Sequence, residues 1–242
     1  MTNLRTIEEY PDDKLLARAA ATAWLDQVYA SNRAGALHCV ALSGGRIAKS
    51  LFSAASQQAC ARKILFSNVH FFWADERCVP PDDAESNFRM AHEYLFSPLK
   101  VQDDHVHRIC GEQPPDVAAA EAEVEIRRLV PLNRVDQPVL DLIFLGMGED
   151  GHVASLFPGG SDSATSDEAV YRAITNSPKP PPNRVTLSYT AIAAARQVWV
   201  LASGAGKRAA LRASLDPSGR TPLARVLQSR SQTRILSDIP QS

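Results

Sequence analysis

Short, unbroken apolar runs recur along this chain, and each stops on a loop rich in glycine or charge. Residues 37–42 (Leu37-His38-Cys39-Val40-Ala41-Leu42), 69–73, 139–145 and 198–202 are the clearest. A strand with one wet face alternates apolar and polar residues, whereas a run without alternation belongs to a strand covered on both faces. Between the runs lie stretches with apolar residues at helical spacing: 15–29, a segment opening at about Ile47, 87–95 and 118–129. Strand and helix alternating in this way predict an α/β fold with a doubly wound, mainly parallel sheet and helices on both faces. Asp12 and Asp13 precede the first helix, where carboxylates suit the positive end of the helix dipole, and residues 32–35 read as the turn into the first strand. Further strands are expected at 106–109, 170–175, 185–188 and 234–236.

One domain is expected across residues 1–242, a length that still suits a single core. The stretch Asn176-Ser177-Pro178-Lys179-Pro180-Pro181-Pro182-Asn183 must be an irregular loop, because proline continues neither a helix nor a central strand. The strand pattern resumes too soon after it for a second core, and no internal repeat is visible.

Charge narrows the partners. Lys and Arg number 26 against 27 Asp and Glu, a net charge of −1, so no global field draws nucleic acid or an anionic membrane, and any anion site must be local. No run reaches the roughly 18 apolar residues of a membrane span, and the N-terminal segment lacks the apolar stretch of a signal peptide. A cytoplasmic location and a monomer are the expectations. The cysteines Cys39, Cys60, Cys78 and Cys110 are too far apart for a CxxC pair and read as reduced thiols.

In an open α/β sheet, ligands gather beyond the carboxyl ends of the strands, so the loops after the apolar runs are the places to search. Ser43-Gly44-Gly45 follows the first run and opens a helix; paired glycines and a helix N-terminus make a phosphate cradle. Asp75-Glu76-Arg77 follows the second run, with Asn87 opening the next helix. Arg77 suits an anion, and the carboxylates suit sugar hydroxyls. The third run enters Gly146-Met147-Gly148-Glu149-Asp150-Gly151-His152, where a histidine suited to take a proton near neutral pH has a carboxylate two positions away. Arg184 and Lys207, at the ends of later elements, add cations for a phosphate. By contrast, His38, His70 and His92 read as structural. His105 and His107 lack the cysteine or carboxylate company of a metal pair and read as strand decoration.

Four segments together resemble the 6-phosphogluconolactonases in order and spacing. They are Ala41-Leu42-Ser43-Gly44-Gly45, Trp73-Ala74-Asp75-Glu76-Arg77, residues 146–159 through Ala154-Ser155-Leu156-Phe157-Pro158-Gly159, and Asn183-Arg184-Val185-Thr186. The resemblance covers nearly the whole chain. It implies a modified Rossmann-like fold shared with glucosamine-6-phosphate deaminases, hydrolysis of a phosphorylated sugar lactone in the oxidative pentose phosphate pathway, and no metal or organic cofactor. It makes His152 the general base with Asp150 beside it, gives Ser43, Gly44, Arg184 and Lys207 to the phosphate, and sets Arg77 near the ligand. The chain departs from the family at Arg46-Ile47-Ala48, where small hydroxyl residues and proline are usual; Arg46 either replaces the hydroxyls with a guanidinium or points outward. Two rivals are a sugar-phosphate isomerase-deaminase and a non-catalytic sugar-phosphate sensor. The first normally carries Phe-Asn-Glu-Pro-Gly where this chain has Ser155-Leu156-Phe157-Pro158-Gly159, and the second has no reason to keep Asp150 and His152.

Overall fold

The computed structural model describes residues 4–160 and 168–240. Six strands, β1 (Leu4–Glu9), β2 (His38–Leu42), β3 (Val69–Trp73), β5 (Leu142–Gly146), β8 (Gln197–Ala202) and β9 (Gln232–Ser237), form a sheet in the order β1-β9-β8-β5-β2-β3. Every pairing in it is parallel. Three short strands, β4 (Asp75–Arg77), β6 (Tyr171–Ile174) and β7 (Arg184–Leu187), form a separate antiparallel sheet in the order β4-β7-β6.

The apolar runs behave as their composition requires: all five residues of β2 are buried, as are the first four of β5 and the last five of β8. Helix α1 (Asp13–Ala34) opens on Asp12, whose carboxylate accepts from the Leu15 N–H at 2.7 Å. Its stripe Leu16, Ala20, Trp24 and Val28 is fully buried at four-residue spacing, and the Trp24 ring meets Phe66, Phe71 and Phe144 edge-on. Helix α2 (Arg46–Arg62) packs along α1. Beyond β4 come α3 (Asn87–Ala91), a π-turn (His92–Phe96), the single turn α4 (Ser97–Leu99) and the long helix α5 (Pro115–Leu129). Three later helices, α6 (Tyr189–Ala194), α7 (Arg208–Leu215) and α8 (Pro222–Gln228), complete the layers. The chain steps one way from β2 to β3 and the other way through β5, β8 and β9. Right-handed crossovers therefore put helices on both faces and leave a crevice where the order reverses, between β2 and β5. One cluster of buried side chains spans both sheets.

The structure corrects the sequence expectations at several points. Residues 106–109 form no strand: Val106 makes an isolated bridge to Phe71, and the His107 N–H donates to the Phe71 carbonyl before the chain turns away. Residues 32–34 belong to α1, which Gly35 ends at φ 62°. The helix expected over 87–95 changes to π geometry at His92. Strands β1 and β4 carry too little apolar pattern to be seen in sequence. β1 lies at the sheet edge, where Arg234 pairs with Glu8, and β4 consists of three charged residues that hydrogen-bond to β7.

Candidate active site

Four loops meet at the crevice, because β8, β5, β2 and β3 are neighbours in the sheet and all point the same way. A cavity of about 390 Å³ opens there. The would-be Cβ of Gly146, at the end of β5, lies 3.8 Å from the Gly44 carbonyl, so the turns after β2 and β5 nearly touch.

At one end, Gly45 (φ 95°) turns the chain into α2, whose N-terminus has no side-chain cap and no acidic residue in its first turn. Its first N–H groups and the dipole suit an anion. Asn87 packs against this turn so closely that a Cβ on Gly44 would meet Asn87 Oδ1 at 1.7 Å. Arg46 resolves the ambiguity of its position: it lines the cavity, with Nη2 3.1 Å from where a Cβ on Gly204 would stand. The facing turn, Ser203 to Lys207, is pinned by Asp238, which accepts from Ser203 Oγ at 2.6 Å and from the Gly204 N–H at 2.8 Å. Burial, and next the charge of Arg46, hold the Lys207 ammonium below its usual pKa. Two cations near enough for the charge of one to weigh on the other suit a multiply charged anion.

The loop after β5 builds the other end. Gly148 N–H donates to the His152 carbonyl at 2.9 Å, and Gly151 N–H to the Gly148 carbonyl at 3.1 Å, so the loop folds back on itself. This brings His152 Nδ1 to 2.5 Å from Asp150 Oδ1. The carboxylate accepts a hydrogen bond from Nδ1–H, which holds the proton on that nitrogen and leaves Nε2 as the basic atom. The ring lies tilted against Phe157 with 4.6 Å between centroids, and burial, the largest influence, holds the imidazole below its usual pKa although Asp150 works to raise it. Burial works to raise the Asp150 carboxyl, but the hydrogen bond and charge of His152 outweigh it, leaving its pKa below the ordinary value. At working pH the pair is a neutral imidazole against a carboxylate.

The second sheet supplies the wall. Its register sets Arg77 opposite Arg184 and Asp75 opposite Thr186. Asp75 Oδ2 accepts from Ser155 Oγ at 2.7 Å, and Ser155 accepts from Arg184 Nη1 at 3.4 Å. The rest of the Arg184 guanidinium holds the proline loop: Nε donates to the Pro181 carbonyl, and Nη2 to the Lys179 and Pro180 carbonyls. Arg77 Nη1 donates to the Glu85 carbonyl at 2.6 Å.

Of the residues singled out in sequence, Ser43, Gly44, Gly45, Arg46, Asp75, Arg77, Asn87, His152, Arg184 and Lys207 line the cavity. Asp150 stands behind His152, and Glu76 is not in the lining. The Glu76 carboxylate, 2% exposed, accepts from the N–H groups of Arg77, Asn87 and Phe88 and from Ser86 Oγ, so it ties β4 to the start of α3. Burial pushes its pKa up to about 7 against those donors. Sequence reasoning passed over Ser155, Glu149, Ser203 and above all Lys179, whose place between two prolines was the available signal. Five cations (Arg46, Arg77, Lys179, Arg184 and Lys207) face two carboxylates (Asp75 and Glu149) in the lining, so a nearly neutral chain concentrates positive charge here. Among the described residues no cluster of three metal-ligating side chains occurs, and no helix is long and apolar enough to cross a membrane. Three histidines outside the cavity form their own group: the His70 ring lies 4.7 Å from that of His105, His70 Nδ1 lies 2.8 Å from His107 Nε2, and His107 Nδ1 lies 2.9 Å from Glu125 Oε1.

A cationic cradle and a histidine–aspartate pair at the switch point of a doubly wound sheet define an α/β protein built to act on a small anion. The model of the family described as glucosamine-6-phosphate isomerases/6-phosphogluconolactonase matches residues 11–235. The 6-phosphogluconolactonase of Mycobacterium tuberculosis is 36% identical over 214 residues, covering 87% of this chain and 85% of the relative. That of Streptomyces coelicolor is 33% identical over 225 residues, covering 90% and 86%. The solved structure of 6-phosphogluconolactonase from Trypanosoma cruzi superposes with a TM-score of 0.84 at 27% identity, covering 98% of this chain and 96% of that one. The chain belongs to the glucosamine-6-phosphate isomerase/6-phosphogluconolactonase family.

Proposed function

We infer that this chain is a single-domain enzyme that hydrolyses 6-phospho-D-glucono-1,5-lactone to 6-phospho-D-gluconate, with His152 as general base. The lactonases among its relatives support the reaction, and one geometric observation carries the mechanism. The Nδ1 proton of His152 is tied to Asp150 at 2.5 Å, which leaves Nε2 free on the cavity side of a burial-neutralised ring.

The substrate phosphate binds between the N-terminus of α2, Arg46 and Lys207, fixing the sugar by the end that does not react. The lactone carbonyl carbon then lies at the dyad. Neutral His152 takes a proton from a water as its oxygen attacks that carbon, and Asp150 stabilises the imidazolium that forms. The tetrahedral oxyanion collapses, the bond to the ring oxygen breaks, and the imidazolium returns its proton to the departing oxygen. The product carries a carboxylate at one end and the phosphate at the other. Neither a covalent intermediate nor a cofactor takes part. The enzyme acts as a cytoplasmic monomer.

The test is His152→Ala, assayed on lactone generated in situ and corrected for spontaneous opening. General-base catalysis contributes about 10²–10⁴-fold, so kcat falls by that factor while 6-phosphogluconate still binds. Near-normal turnover in the variant rejects the mechanism. Glucosamine 6-phosphate is run in parallel, and ammonia release without lactone consumption rejects the reaction.

A further inference from the structure

Attack on the lactone puts a new negative charge on the former carbonyl oxygen, and the His152–Asp150 pair offers that oxygen no donor. Resting on the lactonase reading, we propose that Lys179 is a catalytic residue whose ammonium stabilises this oxyanion and, after ring opening, holds the carboxylate it becomes.

The other cations in the cavity are spoken for. Arg184 has four of its five N–H groups on the carbonyls of residues 179–181 and on Ser155. Arg77 donates to the Glu85 carbonyl, its Nε is buried without a hydrogen-bond partner, and it makes no contact with His152 or Asp150. Arg46 and Lys207 stand at the glycine turns that cradle the phosphate. Lys179 alone among the cavity cations reaches the dyad, with Nζ 3.5 Å from His152 Nδ1 and 3.7 Å from Asp150 Oδ1.

That resting position leaves the ammonium free to act. Nδ1 carries the proton it gives Asp150, so it cannot also accept one from lysine, and 3.7 Å to the carboxylate is beyond a hydrogen bond. Charge keeps the ammonium there, with its donors open to the cavity. The backbone beneath it is fixed: Ser177 Oγ and Arg184 Nη2 both donate to the Lys179 carbonyl, at 2.9 and 3.1 Å. A flexible four-carbon arm on a pinned backbone swings through a short arc, and the reacting carbonyl must lie within that arc because it lies at the ring. Arg184, expected from the sequence as a phosphate ligand, is here the clamp that aims Lys179.

The experiment uses Lys179→Met and Lys179→Arg, with two ligands that share a phosphate and differ at carbon 1. 6-Phosphogluconate carries the carboxylate, and glucitol 6-phosphate carries a neutral alcohol. In Lys179→Met, kcat for the lactone falls about 10²–10³-fold, the range for removing an oxyanion donor. Affinity for 6-phosphogluconate falls about 10- to 100-fold, while that for glucitol 6-phosphate stays within about twofold. Lys179→Arg, which keeps the charge, restores most of both losses. Turnover within about threefold of the parent, or equal weakening of both ligands, overturns the proposal by reducing the lysine to a loop residue. A parent protein that does not accelerate lactone opening overturns the functional reading and this proposal with it. An active parent with an unaffected Lys179→Met variant removes this proposal alone.

Discussion

Gly148→Ala tests whether the position of the dyad, rather than its mere presence, sets the rate. A Cβ at Gly148 would stand 2.1 Å from both Cε1 and Nδ1 of His152 and 2.6 Å from Asp150 Oδ1. Ordinary van der Waals contact begins at 3.4 Å, so the ring must retreat by about 1.3 Å from its 2.1 Å approach. The Gly148 backbone cannot yield in its place, because it is tied at both ends of its own turn by the His152 carbonyl and the Gly151 N–H. Nor does alanine strain that backbone directly, since Gly148 is not among the glycines at positive φ. The displacement therefore falls on the catalytic pair, and a misplacement of about 1 Å costs on the order of 10²-fold in rate. In a pH-stat assay of lactone opening, with the spontaneous rate subtracted, kcat falls about 10²-fold while 6-phosphogluconate binds within about twofold of the parent. Gly206→Ala is the matched control: its Cβ meets Glu149 Oε1 at 2.7 Å, the far end of an exposed side chain that moves aside, and activity stays near normal. Parental kcat in Gly148→Ala refutes the reasoning. So does an equal loss of product binding, which signals collapse of the whole loop.

Burial depresses the His152 pKa below 6.5 and the neutral form is the active one, so kcat/KM is lost as pH falls through a midpoint below 6.5; a midpoint above that value contradicts the buried-base assignment. Glu76→Ala strands three backbone N–H groups and the Ser86 hydroxyl, and urea unfolding registers a loss of about 2–3 kcal/mol; a change under about 0.5 kcal/mol shows that water replaces the carboxylate. Arg46→Ala and Lys207→Ala each weaken 6-phosphogluconate by about 1.5–3 kcal/mol in calorimetry and leave turnover of unphosphorylated gluconolactone unchanged; equal effects on both substrates move the phosphate elsewhere.

Much of this arrangement was legible because burial leaves a compositional trace. Strands covered on both faces cannot carry polar residues, so β2, β5 and β8 announced themselves, and the rule that ligands sit past their carboxyl ends led directly to Ser43, His152 and Lys207. Features set by pairing rather than by composition left no such trace. Nothing in Asp75-Glu76-Arg77 says that it will run antiparallel to residues 184–186 and set one arginine against another more than a hundred positions away. The two roles within that triplet also depend on period-two geometry: Asp75 and Arg77 face the cavity, while Glu76 between them turns inward to cap α3. Lys179 was hidden by the opposite problem, since proline density marks a segment as irregular without saying that an arginine will lock it against the base.

The edge of the large sheet sets an order of events during synthesis. Strand β9 lies between β1 and β8, with Leu4 in register with Gln232, so β1 leaves the ribosome almost a whole chain-length ahead of the strand it must pair with. Until β9 arrives, β8 offers its unpaired backbone, with five of its six side chains apolar, as an open edge to any passing strand. A ribosome that stalls between residues 207 and 232 therefore releases a chain whose cavity-lining loops are all present but whose sheet is unsealed. Such a product is a substrate for chaperones and proteases before it is an enzyme.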